Sequence, residues 1–153
     1  MVMTRMSPFE HILVATDFGP SSERALHLAV ALAKQLHARL TLLHVWEPPP
    51  YAYGCRALIS REELLRPGRE AAQRQLDTML DVIRKDLPDA RGLVRCGDAV
   101  GQIGAAILEE RPDVVFMGTH GRHGIDRMLV GSVAEQTVRS SPVPVLTVAG
   151  APT

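Results

Sequence analysis

Cysteine is scarce: Cys55 and Cys96 are the only two in 153 residues. They form no CxxC redox pair and fall short of a four-cysteine zinc site, a usage that suits a reducing cytoplasm, the expected location. An excess of either charge is also missing, since Lys+Arg and Asp+Glu both total 17. The positive field of a generic nucleic-acid or anionic-membrane binder is therefore absent, and neither partner is expected. No stretch approaches about 18 uninterrupted apolar residues; the best candidates are broken by Lys34, Glu47 or Asp113, so no membrane span is expected. Met1 to Glu10 has neither the apolar run nor the small-residue cleavage site of a signal peptide and reads as a short tail. Reaction motifs are missing too: there is no GxxxxGK(S/T), no GxGxxG after a strand, no HExxH and no GxSxG.

What remains is the composition of one globular domain over residues 1–153, 46% hydrophobic and 22% charged. His11–Thr16 is a short apolar run closed by Asp17-Phe18-Gly19-Pro20-Ser21-Ser22, the pattern of a buried strand and a turn. Ala25, Leu28, Ala29, Leu32, Ala33 and Leu36 follow at helical spacing, after a start signal at Pro20 and Glu23. Leu40–Trp46 is a second buried strand, stopped by Pro48-Pro49-Pro50. Residues 47–61 show neither period and read as one long irregular loop. Helical spacing resumes over Leu64–Leu87. A short strand is expected at Arg91–Cys96, a helix through Ile103–Leu108 and a clear strand at Asp113–Gly118. A glycine-bearing loop then runs to Val130, a helix covers Ser132–Arg139, and Val143–Val148 is the last strand. Strands alternating with helices rejoin one sheet as parallel neighbours through right-handed crossovers, so the expected fold is α/β: a doubly wound five-stranded parallel sheet, a Rossmann-like sandwich.

Open α/β sheets bind ligands beyond the carboxyl ends of their strands where strand order reverses, here expected between the first and fourth strands. Those ends carry Ala15-Thr16-Asp17 and Met117-Gly118-Thr119-His120-Gly121. Gly118, Gly121 and Gly131 allow close backbone approach, and Gly131-Ser132 places N–H groups and a hydroxyl at a helix start, a cradle for phosphate. Arg122 and Arg127 add cationic charge beside it. Ser132-x-x-Glu135 is equally a capping-box pattern, and Asp17 before a helix is equally a turn residue, so both roles stand for each. His120, His123 and Asp126 suggest a metal, but no fourth ligand accompanies them and no metal site is expected. His11, His27, His37 and His44 occur singly and read as core-edge or surface residues.

Taken together, Ile12–Asp17 with Ser21-Ser22-x-x-Ala25-Leu26, Leu42-Leu43-His44-Val45, and Gly118-Thr119-His120-Gly121-Arg122 through Gly131-Ser132-Val133-Ala134-Glu135 to Pro144-Val145-Leu146 make the chain resemble the universal stress proteins of the nucleotide-binding subclass. The signature G-x2-G-x9-G-(S/T) of that subclass is met by Gly118, Gly121, Gly131 and Ser132. Gly19 stands where such proteins frequently carry serine. The resemblance implies that Gly118, Gly121, Gly131, Ser132 and Val133 hold ribose and phosphates, while Ala15, Asp17, Val45 and Met117 line the adenine pocket; His120 and Arg122 on the same loop are further candidate ligand-binding residues. It implies ATP or ADP with Mg²⁺ as ligand, a role in stress response and a homodimer.

The last strand supports a dimer independently, because Pro144 confines it to a sheet edge and an apolar edge invites a partner. With a phosphate cradle and no evident catalytic base, the expected function is ATP-dependent regulation without enzymatic activity. A slow ATP hydrolase using His120 or Asp17 to position water and a nucleotide-independent interaction protein are the alternatives.

Overall fold

A strand with no polar interruption has no face to give to water, and β1 (His11–Thr16) is buried at every position. The computed structural model describes residues 9–53, 60–119 and 132–150. After β1 come α1 (Pro20–Leu36), β2 (Arg39–Trp46), a 3₁₀ turn at Pro50–Tyr53, α2 (Arg61–Ile83), β3 (Arg91–Cys96), α3 (Ala99–Glu110), β4 (Val114–Gly118), α4 (Val133–Ser140) and β5 (Val145–Val148). The strands form one sheet in the order β3-β2-β1-β4-β5. Every pairing is parallel, including Thr16 with His44 and Ala15 with Met117. The chain thus winds outward from β1 through β2 to β3, then returns to lay β4 on the other side of β1.

Successive side chains on a strand face opposite ways. Ile12, Val14, Leu42 and Phe116 therefore meet α1 and α2 through Leu26, Ala29, Ala33, Leu76 and Leu80. Leu13, Ala15, Leu43 and Met117 meet α3 and α4 through Ile103, Ala106, Ile107 and Ala134. This is the doubly wound α/β architecture read from the alternation of strands and helices.

Element ends depart from the periodic reading where local chemistry takes over. α2 starts at Arg61, ahead of the expected Leu64, because Ser60 and Glu63 form a reciprocal capping box with hydrogen bonds of 3.2 and 3.1 Å. The helix also ends before Leu87: past Ile83 the chain tightens into three-residue bonds, from Lys85 N–H to Val82 O and from Asp86 N–H to Ile83 O. α3 is longer than the apolar run at Ile103–Leu108, since Asp98 accepts the Gly101 N–H at 2.7 Å and Arg111 closes the other end in a left-handed conformation. Pro144 lies outside β5 rather than within it. The Val143 N–H donates to Ser141 Oγ at 3.2 Å, and the Pro144 carbonyl accepts from Val115 before regular pairing begins at Val145. β5 is nevertheless an edge of the sheet, paired among the described residues with β4 as its one neighbouring strand. β4 begins at Val114, one residue after Asp113, whose carboxylate accepts the N–H groups of Glu10 and His11 at 2.8 and 2.9 Å and so ties the start of β1 to β4.

Gly118 sets the distance between β4 and α1. A methyl group there would lie 2.4 Å from Ser21 Oγ and 2.6 Å from the Ser22 nitrogen, which belongs to the rigid first turn of α1. Gly118→Ala is expected to lower stability by about 1–3 kcal/mol, the usual range for forcing a methylene into a packed site. Urea denaturation of the purified variant checks this, and an unchanged midpoint would refute the close-packing role.

His11 is 3% exposed, and its Nε2 lies 2.8 Å from Oγ1 of the equally buried Thr41. Burial first, then the Arg39 cation, holds the imidazole below its ordinary value of 6.5, against the opposing pull of Glu110 and Asp113. The unfolded chain takes up a proton near that value while the folded one resists, so His11 subtracts nothing above it and removes stability as pH falls below it toward the lowered folded value. Stability measured between pH 8 and pH 5 is expected to decline less steeply for His11→Gln, which does not titrate, than for the parent protein.

Candidate functional site

Because the connections leaving β1 and β4 pack on opposite faces of the sheet, their carboxyl ends part and leave a crevice. It holds a cavity of about 290 Å³. Of the candidate site residues, Ala15, Asp17, Val45, Met117, Gly118, Ser132 and Val133 line it. His120, Gly121, Arg122 and Gly131, together with His123, Asp126 and Arg127, lie outside the described residues. Thr16, Ser22, Leu43, Ala99, Ile103, Thr119 and Ala134 also line the cavity and were not singled out as site residues. Leu43 was within reach of sequence reasoning, since it lies two residues before Val45 on the same strand face. Ala99 and Ile103 are one helical turn apart just after the Asp98 cap, but only the packing of α3 shows which crevice they wall.

The β1–α1 turn forms the first wall. Asp17 Oδ1 accepts the Gly19 N–H at 2.9 Å and the Ser22 hydroxyl at 2.7 Å, so one oxygen of this carboxylate is engaged in holding the turn. Thr16 Oγ1 accepts the Phe18 N–H at 3.0 Å, and Phe18 adopts a left-handed backbone with φ of 62°. At Gly19, a β-carbon would sit 3.0 Å from Asp17 Oδ1, closer than such contacts comfortably run.

Two helix N-termini reach the cavity and differ in electrostatic state. At α3, Asp98 caps Gly101, and Glu47 Oε1 accepts the Ala99 N–H at 3.1 Å, so two carboxylates already answer the positive end of the helix. At α4, Ser132 Oγ accepts the Glu135 N–H at 3.2 Å, while the Glu135 carboxylate pairs with Arg139 at 2.7 Å. The capping role of Ser132 is thus present, and a hydroxyl that accepts still has its own proton to donate. Val133 and Ala134, in the opening turn of α4 where backbone N–H groups lack intrahelical partners, line the same crevice.

The cavity consequently has two ends. Ala15, Leu43, Val45, Ile103 and Met117 supply an apolar slot between strands and α3, and Ser132 with the opening turn of α4 supplies donors. A flat heteroaromatic group carrying an anionic tail matches both. Gly118 lines the cavity through its backbone, but the space a side chain would fill there belongs to α1, so its glycine is required first by the fold.

The profile of the Universal stress protein family matches residues 8–149. A universal stress protein of Thermus aquaticus is 32% identical over 143 residues, spanning 92% of this chain and 98% of the relative. Among solved structures, a hypothetical protein whose biochemical function was assigned from its structure aligns with a TM-score of 0.76 at 25% identity, over 95% of this chain and 99% of that one. A universal stress protein in complex with cAMP aligns with a TM-score of 0.69 at 25% identity, over 93% and 98% of the two chains. With the family profile spanning nearly its whole length, the chain belongs to the universal stress protein family.

Proposed function

We propose that this chain is a single nucleotide-binding domain that binds ATP, with ADP as its alternative ligand, and acts as a homodimeric regulatory protein of the stress response in the cytoplasm. The observation that carries the reading is the two-ended cavity at the point where β1 and β4 part. Adenine enters the slot bounded by Ala15, Val45 and Met117, and the phosphates meet Ser132 and the amides of Val133 and Ala134. Gly121 and Gly131 are assigned to the phosphate side by the signature they complete with Gly118 and Ser132, and His120 and Arg122 by their place on the same loop sequence. A relative in complex with cAMP supports an adenine nucleotide as the ligand class. Mg²⁺ belongs to this reading as the counter-charge of the triphosphate. Regulation rather than hydrolysis is favoured by the state of Asp17: it is the only carboxylate lining the cavity among the described residues, and one of its oxygens already holds the Gly19 N–H and the Ser22 hydroxyl.

Titration calorimetry with ATP and Mg²⁺ is expected to show saturable heat, with a matching rise in melting temperature. Ser132→Asp separates the two roles of this residue, because aspartate caps a helix as well as serine does but sets a negative charge against phosphate. Its stability should stay within about 0.5 kcal/mol of the parent while ATP affinity falls about tenfold or more. No heat from ATP, ADP or cAMP at millimolar concentration would overturn the reading.

The dimer is assigned to β5, whose outer edge has no partner strand among the described residues and whose Leu146 is 37% exposed. An isologous two-fold contact there pairs β5 with its copy and closes both edges at once. Light scattering should return a mass near twice the 16.7 kDa of one chain, and Leu146→Glu should shift it toward the monomer. A single-chain mass for the parent protein across micromolar concentrations would exclude the dimer.

A further inference from the structure

We propose that His44 is a positioning residue of the nucleotide site, acting through the β1–α1 turn rather than by touching the ligand; this rests on the nucleotide reading above. His44 lies opposite Thr16 in the β1–β2 register, at the last rung before β1 ends. Its Nδ1–H donates to the Thr16 carbonyl at 2.8 Å, which places the ring proton on Nδ1 whenever the imidazole is neutral. The face of the same ring lies against Phe18, with centroids 4.2 Å apart and planes tilted by 38°. One side chain therefore grips the turn on both sides of Asp17.

The grip matters because of the backbone between those two contacts. Phe18 has a φ of 62°, a region that bulky side chains avoid, and a residue held there needs its surroundings to impose it. The Thr16 hydroxyl accepts the Phe18 N–H at 3.0 Å and lies 3.2 Å from the Ser22 hydroxyl, so the residue anchored by His44 also carries the reversal. Only after that reversal does Asp17 Oδ1 reach the Gly19 N–H and the Ser22 hydroxyl on the first turn of α1. Thr16, Asp17 and Ser22 all line the cavity, yet His44 does not. Its contribution is the shape of the wall.

Two properties of the imidazole do this work, a donor and a flat ring, and substitutions separate them. His44→Asn keeps a donor near the Nδ1 position without the ring, His44→Phe keeps the ring without the donor, and His44→Ala removes both. ATP affinity by calorimetry is expected to fall about tenfold or more for His44→Ala and by a smaller factor for His44→Asn and His44→Phe. Amide hydrogen exchange at Phe18 and Gly19 should quicken in the same order while β4 amides keep parental protection, a pattern that general destabilisation would not produce. Parental affinity in His44→Ala, or loss of protection at β4 in parallel with the turn, would overturn the proposal. If His44→Ala does not fold, the Asn and Phe variants carry the same test. If the parent protein binds no nucleotide, the nucleotide reading fails, and exchange at Phe18 alone decides the positioning role: quickened supports it, unchanged rejects it.

Discussion

The structure depends on the burial of β1 from both sides. A central strand of six apolar or hydrogen-bonded residues must have helices on each face and strands on each edge, and the chain meets that demand by winding first one way and then the other. The change of direction separates the connections that leave β1 and β4. A crevice between them follows from the covering of β1, before any ligand is considered, and it opens at the carboxyl ends where the turn after β1 and the start of α4 face one another. The site is thus a geometrical consequence of the core, and the residues around it answer to both.

Gly118 shows how closely the two demands are joined. Its place in the nucleotide signature suggests a glycine kept for a ligand, but the clash a side chain would meet is with Ser21 and Ser22 of α1. The same first turn of α1 donates the Ser22 hydroxyl to Asp17 on the cavity wall. A residue that spaced α1 away from β4 would move that wall, so packing at Gly118 and the shape of the site are one property. Ser132 has the same double character, capping α4 while presenting its hydroxyl to the crevice.

The fold class was legible because its cause is local and repeated. His11–Thr16 and Arg91–Cys96 were bounded correctly by apolar content and turn residues alone. Where ends were misplaced, a hydrogen bond overrode the apolar period: the Ser60–Glu63 box advanced α2, and Ser141 drew Val143 out of the ladder so that β5 begins after Pro144. Along the cavity wall, the strand residues Ala15, Val45 and Met117 were named through the family likeness, since strand ends at a reversal of order have a fixed position in this architecture. Ala99 and Ile103 were not, because the approach of α3 to the cavity is set by packing against Leu43 and Leu13 across the sheet face, which no spacing within α3 encodes. His44 was read as a single core-edge or surface histidine; its partners Thr16 and Phe18 are remote in sequence and are brought to it by strand register.

The caps of the two helices that reach the cavity give it a direction. Asp98 and Glu47 at α3 and Ser132 at α4 all satisfy backbone donors, so for helix stability they are interchangeable in kind. For an anion the caps differ: carboxylates cap α3, whereas α4 is capped by a neutral hydroxyl and the carboxylate in its first turn, Glu135, is paired with Arg139. Ala15, Leu43, Val45, Ile103 and Met117 supply the apolar part of the lining, and Ser132 on α4 its hydroxyl. In the proposed reading, a ligand with a flat apolar part and a charged tail lies with its tail toward α4. Under that reading, replacing Ser132 by a carboxylate would leave the fold its cap and remove the direction, so a neutral cap at this one helix would bear more on ligand recognition than on stability.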